Sequence, residues 1–158
     1  MSAPNGQKVE HGLGTLLRIP FQVMMSDHVE PALADSGHAG IRAAHLPVFQ
    51  ALAMNPNGLR STELAAYARI TKQSMGYLVD HLSTSGYVER VPDPADQRAK
   101  VVRLTPLGWS VGQLIRSIVL GVEADWAEVI GRDRMTELKA ILRELAIIVA
   151  DRPEIPSR

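Results

Sequence analysis

The sequence predicts a mainly α-helical fold with one small β-hairpin, and three observations lead to that prediction. Apolar residues recur at helical spacing over most of the 158 residues. Two short segments, Tyr87–Val91 and Lys100–Leu104, alternate like strands instead, and Pro92-Asp93-Pro94 ends the first of them. Two short helical patterns lie directly before this pair. That order of elements is typical of a winged helix-turn-helix, so we expect an α+β protein built around one.

Capping residues mark the two helices of this motif. Ser61 or Thr62 is predicted to begin the first helix, because a hydroxyl can accept a hydrogen bond from a free N–H of the first turn. Thr71 is the N-cap candidate of the second helix, and Gly86 is predicted to end that helix in the left-handed conformation. The apolar face of the second helix consists of residues spaced three, four and seven apart: Met75, Leu78, Val79 and Leu82.

Helical patterns also precede the motif. The first runs from Leu13 to about Leu33, and Pro20 within it predicts a kink or a late start, because proline removes a helical hydrogen bond. A loop is predicted over residues 35–40. The next helix is predicted over Ile41–Met54.

Two further helices are predicted after the hairpin. Thr105 and Pro106 are typical of an N-cap and a first helical residue, and Gly131 is predicted to end that long helix. Asp133 is predicted to cap the last helix. The long helix carries a broad apolar face with little core left to cover it, and burial against a second copy of the chain would cover it. The sequence therefore predicts a homodimer through this face: Leu114, Ile115, Ile118, Val119, Val122 and Trp126.

The composition excludes several classes of function. The chain has no cysteine, which removes disulfides and thiol chemistry. It has no apolar run long enough to span a bilayer and no basic-then-apolar leader, so we expect a cytoplasmic protein without a membrane span. Its histidines lack metal-ligand spacing, and phosphate-loop and nucleophile-elbow motifs are missing. We therefore expect no metal, no cofactor and no enzymatic activity.

The charge is distributed unevenly along the chain. Seventeen basic and seventeen acidic residues give a formal net charge of zero. The segment Gly58–Leu104 nevertheless holds seven basic and five acidic residues. A duplex senses the surface that faces it rather than the whole protein, so this local excess is compatible with nucleic-acid binding.

One ordered stretch resembles a known family. LAAYARITKQSMGYLVDHLSTSGYVERVPDPADQRAKVVRLTPLG and, more loosely, LGTLLRIPF and HLPVFQAL are similar to the MarR family of bacterial transcription regulators. The family's Asp-x-Arg wing element falls on Asp96-Gln97-Arg98. The resemblance implies a homodimer that binds a pseudo-palindromic operator in double-stranded DNA. Members are mostly repressors, released by small and often aromatic or phenolic ligands.

The resemblance also implies a domain organisation. It suggests one domain over residues 11–158, with dimerisation helices over 11–40 and 106–150. The winged helix-turn-helix lobe would then occupy 41–105, and residues 1–10 are expected to be disordered.

Carried over residue by residue, the resemblance implies DNA contacts on the second helix of the motif, the recognition helix. Arg98 is expected in or near the minor groove, and Asp96 is expected to shape the wing. The alternative for Lys72, Gln73 and Ser74 is a solvated helix face, and the alternative for Tyr77 is sideways packing against the scaffold. Many members have a hydroxyl residue where this chain has Gly76 and an arginine where it has Tyr77. With Tyr77, direct readout is expected to depend less on guanine contacts and more on apolar contact with thymine methyls. The recognition-helix contacts are Lys72, Gln73, Ser74, Gly76 and Tyr77.

Other candidate contacts have equally plain alternatives. Ser61 and Thr62 could bind phosphate at a helix start or simply cap the helix. Thr71 is also predicted to contact DNA. Lys100 is expected to contact phosphate, against the alternative of a charged hairpin tip. Ligand contact is assigned to Phe21, Met24 and Met25, against the alternative of core or dimer packing. For the whole chain, the alternative function is a winged helix that contacts only other proteins.

Overall fold

A computed structural model describes residues 11–150, and the expectation for residues 1–10 lies outside the described part of the chain. It confirms the predicted fold class, since helices predominate and the sheet has two antiparallel strands. The chain divides into two compact units, with the boundary between Ile118 and Val119. The helices and strands are α1 (Leu13–Val23), α2 (Glu30–Asp35), α3 (Leu46–Met54), α4 (Ser61–Ala68), α5 (Lys72–Thr84), β1 (Val88–Pro92), β2 (Lys100–Leu104), α6 (Pro106–Ile130) and α7 (Arg132–Ala150).

The first helix begins at Leu13, so the late start predicted from Pro20 is wrong. Pro20 lies inside α1, and a π-helical segment, Met24–Val29, joins α1 to α2. Within this segment the backbone N–H of Glu30 reaches the carbonyl of Met25, one residue further back than in an α-helix. The helix thus continues through Pro20, and the π-helical segment begins after it, at Met24.

The helix predicted over Ile41–Met54 begins later than expected. A 3₁₀ turn, Ala43–His45, precedes α3, which starts at Leu46. Two backbone N–H groups are held here by side chains: that of Arg42 by His45 Nδ1 at 3.0 Å, and that of Ala43 by Glu30 Oε1 at 3.2 Å. These side-chain acceptors stabilise the tighter turn, and no sequence pattern predicted them.

The helix-turn-helix follows the prediction except at its first residue. Arg60, not Ser61 or Thr62, is the N-cap of α4, because its backbone is extended and its carbonyl accepts the N–H of Leu64 at 3.0 Å. The N–H of Arg60 also donates to the Glu63 carboxylate at 2.7 Å. Thr71 caps α5 as predicted and accepts a hydrogen bond from the N–H of Ser74 at 3.1 Å. Gly86 ends α5 with a φ of +79°.

The core of the winged lobe lies between α3, α4, α5 and the hairpin. The strands pair in register from Val88 with Leu104 to Pro92 with Lys100. Each large apolar side chain in this core contributes about 1.5–3 kcal/mol by leaving water. The fully buried members include Leu52, Leu64, Met75, Val79, Leu82 and Val102.

The long helix starts in close contact with the end of the recognition helix. Thr105 Oγ1 accepts the N–H of Gly108 at 3.1 Å and donates to the carbonyl of Gly86 at 2.6 Å. A Cβ added to Gly108 would lie 2.0 Å from the carbonyl oxygen of Tyr87, so only glycine fits. This arrangement confirms Thr105 as the cap of α6.

In the second unit, Gly131 ends α6 with a φ of +101°, as predicted. The helix α7 begins at Arg132, so Asp133 lies in its first turn and is not its cap. Lys139 of α7 pairs with Glu123 of α6. Among the described residues, no helix is both long and apolar enough to cross a membrane.

Candidate nucleic-acid interface

The recognition helix α5 is anchored by one face and exposed on the other. Met75, Val79 and Leu82 are fully buried, because their spacing places them on a single side of the helix. The residues predicted to contact DNA lie on the remaining surface. Lys72, Gln73 and Ser74 are exposed, and nothing lies within 4 Å of a Cβ built on Gly76.

Tyr77 stands out from this surface. Its side chain is 68% exposed, and Gln73 Nε2 donates to its hydroxyl at 3.4 Å. One side of the ring borders an open, mainly apolar cavity of about 390 Å³ that Ile70 and Leu78 also line. Sideways packing and outward exposure therefore coexist at this residue.

At the start of the recognition helix, the hydroxyl of Thr71 is already engaged in local hydrogen bonds. Thr71 Oγ1 accepts the N–H of Ser74 and also lies 2.9 Å from Ser74 Oγ. Ser61 is half-buried and Thr62 is exposed. Capping thus occupies Thr71, whereas Thr62 presents its side chain to solvent.

The wing turn between β1 and β2 is organised by two aspartates. Asp96 Oδ1 accepts the N–H of Arg98 at 3.1 Å, and the carbonyl of Asp96 accepts the N–H of Ala99 at 2.9 Å. Asp93 Oδ1 accepts the N–H of Ala95 at 2.8 Å. These bonds shape the backbone and leave the side chain of Arg98 exposed.

The same turn is tied to α4 by an ion pair that sequence reasoning missed. Arg60 Nε donates to Asp93 Oδ2 at 2.8 Å, and a terminal nitrogen of the guanidinium lies 2.6 Å from the same oxygen. The bond from Ala95 N–H and then Arg60 hold the pKa of Asp93 below its usual value, and the bond to Asp93 raises the pKa of Arg60. The two residues are 33 positions apart. Only the wing topology, which returns the chain to α4, could have suggested that they meet.

The cations of the motif fall into paired and unpaired groups. Arg90 pairs with Asp80 of the recognition helix at 2.5 Å, and Arg103 pairs with Glu89 at 2.7 Å. In contrast, no carboxylate among residues 11–150 pairs with the cations predicted to contact DNA. These unpaired cations are Lys72, Arg98 and Lys100. Their charges are therefore available to an external anion.

A cluster of histidines connects the recognition helix to the segment before α3. The ring of His45 stacks on that of His81 with centroids 4.9 Å apart, and His81 Nε2 lies 3.1 Å from the carbonyl oxygen of Gly40. His38 bonds to the hydroxyl of Tyr87 at 2.9 Å. Burial first, and then the neighbouring His81, lower the pKa of His45. Within the described residues, no group of three or more potential ligands could hold a metal ion.

The candidate ligand residues lie near the α1–α2 junction. Met25 is buried, Met24 is half-buried and Phe21 is 50% exposed. The cavity beside Tyr77 is lined by other residues. Ligand contact at these three residues stays a prediction.

Comparisons with known proteins agree with this geometry. The model of the MarR family matches residues 39–99. The chain is 27% identical over 93 residues to the transcriptional activatory protein BadR of Rhodopseudomonas palustris, covering 59% of this chain and 52% of that protein. The chain thus spans about half the length of this curated relative.

Two solved structures have a similar fold. The transcriptional repressor CouR, bound to a 23-mer DNA duplex, is 24% identical with a TM-score of 0.74, over 92% of this chain and 99% of CouR. NadR in complex with 4-hydroxyphenylacetate is 27% identical with a TM-score of 0.67, over 90% of this chain and 97% of NadR.

Proposed function

We propose that this chain is a transcription regulator of the MarR family and not an enzyme, because the family model matches residues 39–99 and the fold is similar to that of solved MarR and CouR structures. The chain is a homodimeric, ligand-responsive regulator that binds double-stranded DNA and represses transcription. The observation that carries the proposal concerns three cations on the recognition helix and the wing, which are exposed and pair with no carboxylate among residues 11–150: Lys72, Arg98 and Lys100.

DNA binding follows from how these cations are presented. Phosphate contacts supply affinity by releasing counterions, and a surface already neutralised by carboxylates could not do so. The exposed side chains of Gln73 and Tyr77 lie on the same helix as Lys72, where base edges or thymine methyls can be read. The solved complex of CouR with a DNA duplex supports this use of the fold.

Dimerisation is supported by apolar side chains that the single chain leaves exposed. Leu13, Leu16 and Phe21 on α1 are half or more exposed, and so are Ile147 and Ile148 on α7. Burial of such apolar area favours association, and the gain has to exceed the translational, rotational and side-chain freedom that association removes. On the predicted face of α6, Ile115 and Val122 are already buried, and the other four residues are half-buried. We expect sedimentation to give twice the chain mass, and Ile148→Asp to shift the protein towards the monomer.

The effector is proposed to be a small aromatic or phenolic acid that contacts Phe21, Met24 and Met25. The NadR complex with 4-hydroxyphenylacetate supports this class of ligand for the fold. Salicylate and 4-hydroxyphenylacetate are suitable first probes. Either should weaken DNA binding of the wild type and have a smaller effect on Phe21→Ala. A broad screen of aromatic acids without any change in DNA affinity would contradict this part of the proposal.

Repression is the proposed direction because a dimer seated on an operator excludes other proteins from that DNA without needing a further contact surface. CouR is named a repressor and BadR an activatory protein. Transcription in vitro from a promoter overlapping the bound site should fall as the protein is added. A rise would overturn the direction and leave DNA binding standing.

The decisive experiment is selection of bound sequences from a random duplex pool, followed by salt titration of the selected duplex. We expect a pseudo-palindromic site, and a salt slope that falls by about 0.9 for each phosphate that Arg98→Ala or Lys100→Ala no longer neutralises. Arg103→Ala is the matched control, since that residue lies on the same hairpin but is paired with Glu89. A pool without enrichment, together with isotherms unchanged in both variants, would favour a protein-contact module instead.

A further inference from the structure

Arg60 stands where three parts of the winged lobe meet. Its own N–H closes the cap of α4 by donating to Glu63. The preceding residue, Leu59, exchanges two backbone hydrogen bonds with Val102 of β2, at 3.0 and 2.8 Å. The backbone at Arg60 is thus already fixed to both the first helix of the motif and the returning strand.

The side chain of Arg60 then reaches across to the wing turn. Its guanidinium holds Asp93 Oδ2 with two nitrogens, at 2.8 and 2.6 Å, and lies 3.9 Å from Asp96 Oδ2. The Asp93 side chain is only 11% exposed, so this contact is better shielded from water than an ordinary surface pair. The two contacts join α4 to both aspartates that shape the turn.

The two aspartates connect Arg60 to the backbone of Arg98. Asp96 receives the N–H of Arg98 on one carboxylate oxygen, while its other oxygen faces Arg60. The N–H of Asp96 in turn donates to the carbonyl of Asp93 at 3.2 Å. A continuous series of contacts therefore runs from the start of α4 to the backbone of the wing arginine.

We propose that Arg60 is a positioning residue for DNA binding, which fixes the wing turn and Arg98 relative to the recognition helix by holding Asp93 and Asp96. This inference rests on the proposed function of the chain. Direct phosphate contact is the competing role for Arg60. Two carboxylates lie beside its guanidinium, however, and they would repel a phosphate approaching the same group.

A double-mutant cycle separates these roles. Arg60→Ala leaves the cap of α4 in place, because that bond uses the backbone N–H. On the duplex selected with the wild type, we expect Arg60→Ala to weaken binding about 5- to 100-fold, similar to Arg98→Ala. In the Arg98→Ala background the same change should have almost no effect, since Arg60 acts through Arg98. Arg60→Lys, which keeps the charge but has a single donor nitrogen, should recover part of the affinity.

The matched control is Arg103→Ala. Arg103 also pairs with a carboxylate of the hairpin and is 47% exposed, against 42% for Arg60, but it does not contact the wing turn. We expect its DNA affinity to remain within about twofold of the wild type, as for an ordinary exposed ion pair.

A second measurement needs no DNA. Hydrogen exchange in Arg60→Ala should become faster at the wing amides of Ala95, Arg98 and Ala99, while the amides of α5 keep their protection and the thermal melt stays cooperative. Unchanged wing exchange would overturn the proposal.

The binding data can overturn it in two other ways. If Arg60→Ala lowers DNA affinity equally in the wild type and in the Arg98→Ala background, Arg60 contacts DNA independently of Arg98. If Arg60→Ala does not lower DNA affinity at all, Arg60 has no role in DNA binding. If the wild type binds no duplex, the proposed function fails and the DNA part of this inference falls with it. The exchange data then decide separately whether Arg60 holds the wing.

Discussion

Two joins hold the helix-turn-helix in place, and they use opposite chemistry. The wing is joined to α4 by charged groups, Arg60 with Asp93, partly open to solvent. The segment before α3 is joined to the recognition helix by stacked imidazole rings, His45 on His81, with His45 only 6% exposed. The first join requires Arg60 and Asp93 to be ionised, and the second requires His45 to be neutral, because its Nδ1 accepts the N–H of Arg42. The lobe is therefore held by contacts that fail at different pH values.

The hydrogen bonds at the histidine join fix which nitrogen carries the proton. The backbone N–H of Arg42 donates to His45 Nδ1, so this nitrogen must be unprotonated. The carbonyl of Gly40 can only accept, so His81 Nε2 carries a proton. Protonation of His45 would set an N–H against the Arg42 N–H and place a charge beside His81.

The largest expected effect comes from removing the buried ring. His45→Ala should lower the free energy of unfolding by about 2–3 kcal/mol, because it opens a cavity and leaves the Arg42 N–H without its acceptor. Chemical denaturation at pH 7.5 measures this loss. His45→Gln, which keeps an acceptor, should lose less; equal losses in the two variants would show that the hydrogen bond contributes nothing.

The next effect is the pH dependence of stability. The pKa of His45 is lower in the folded chain than the ordinary 6.5 of the unfolded chain. The folded state therefore binds fewer protons, and the stabilisation present above 6.5 is lost as the pH falls through the folded pKa, with a slope of at most about 1.4 kcal/mol per pH unit. Unfolding curves between pH 8 and pH 5, about the range over which histidine titrates, should show this slope in the wild type and a smaller one in His45→Gln. Parallel profiles would exclude His45 as the titrating group.

A smaller effect is expected from the pH dependence of the wing contact between Arg60 and Asp93. The pKa of Asp93 lies below its ordinary 3.8, so the wing join is present above that value and is lost only as the pH falls through the folded pKa. Protection of the Ala95 and Arg98 amides, corrected for intrinsic exchange, should therefore persist in the pH range where the histidine join weakens. High salt should have the opposite effect: it should weaken the ion pair of Arg60 with Asp93 before it weakens the stacking of His45 on His81. Loss of both joins together at low pH would mean that they form one cooperative unit.

The smallest effect is expected at the exposed pair of Arg103 with Glu89. Arg103→Ala should change the free energy of unfolding by no more than about 0.5 kcal/mol, because both side chains are solvated. Thermal melts at two salt concentrations provide the measurement. A larger loss would show that exposure is a poor guide to the strength of ion pairs on this hairpin.

The elements that the sequence predicted well are those set by local chemistry. Thr71, Gly86 and Thr105 mark helix ends through their own side chains or backbone freedom, and all three do so in the structure. The errors at the starts of α1, α4 and α7 were local, by one residue or a few, whereas the contacts that the sequence could not show join residues distant along the chain. Arg60 meets Asp93, and Glu30 holds the N–H of Ala43, only because the fold brings them together. The assignment of DNA contacts on α5 and the wing stays a prediction for the same reason, since the partner is another molecule.

The close approach at Gly108 has a mechanical consequence. The first turn of α6 abuts the carbonyl of Tyr87 without room for a methyl group, and Thr105 bonds to Gly86 on the same side. A displacement of this turn therefore has to move the end of α5 as well, because no side chain lies between the two backbones to absorb it. The first turn of α6 and the chain segment that ends α5 are therefore expected to move together.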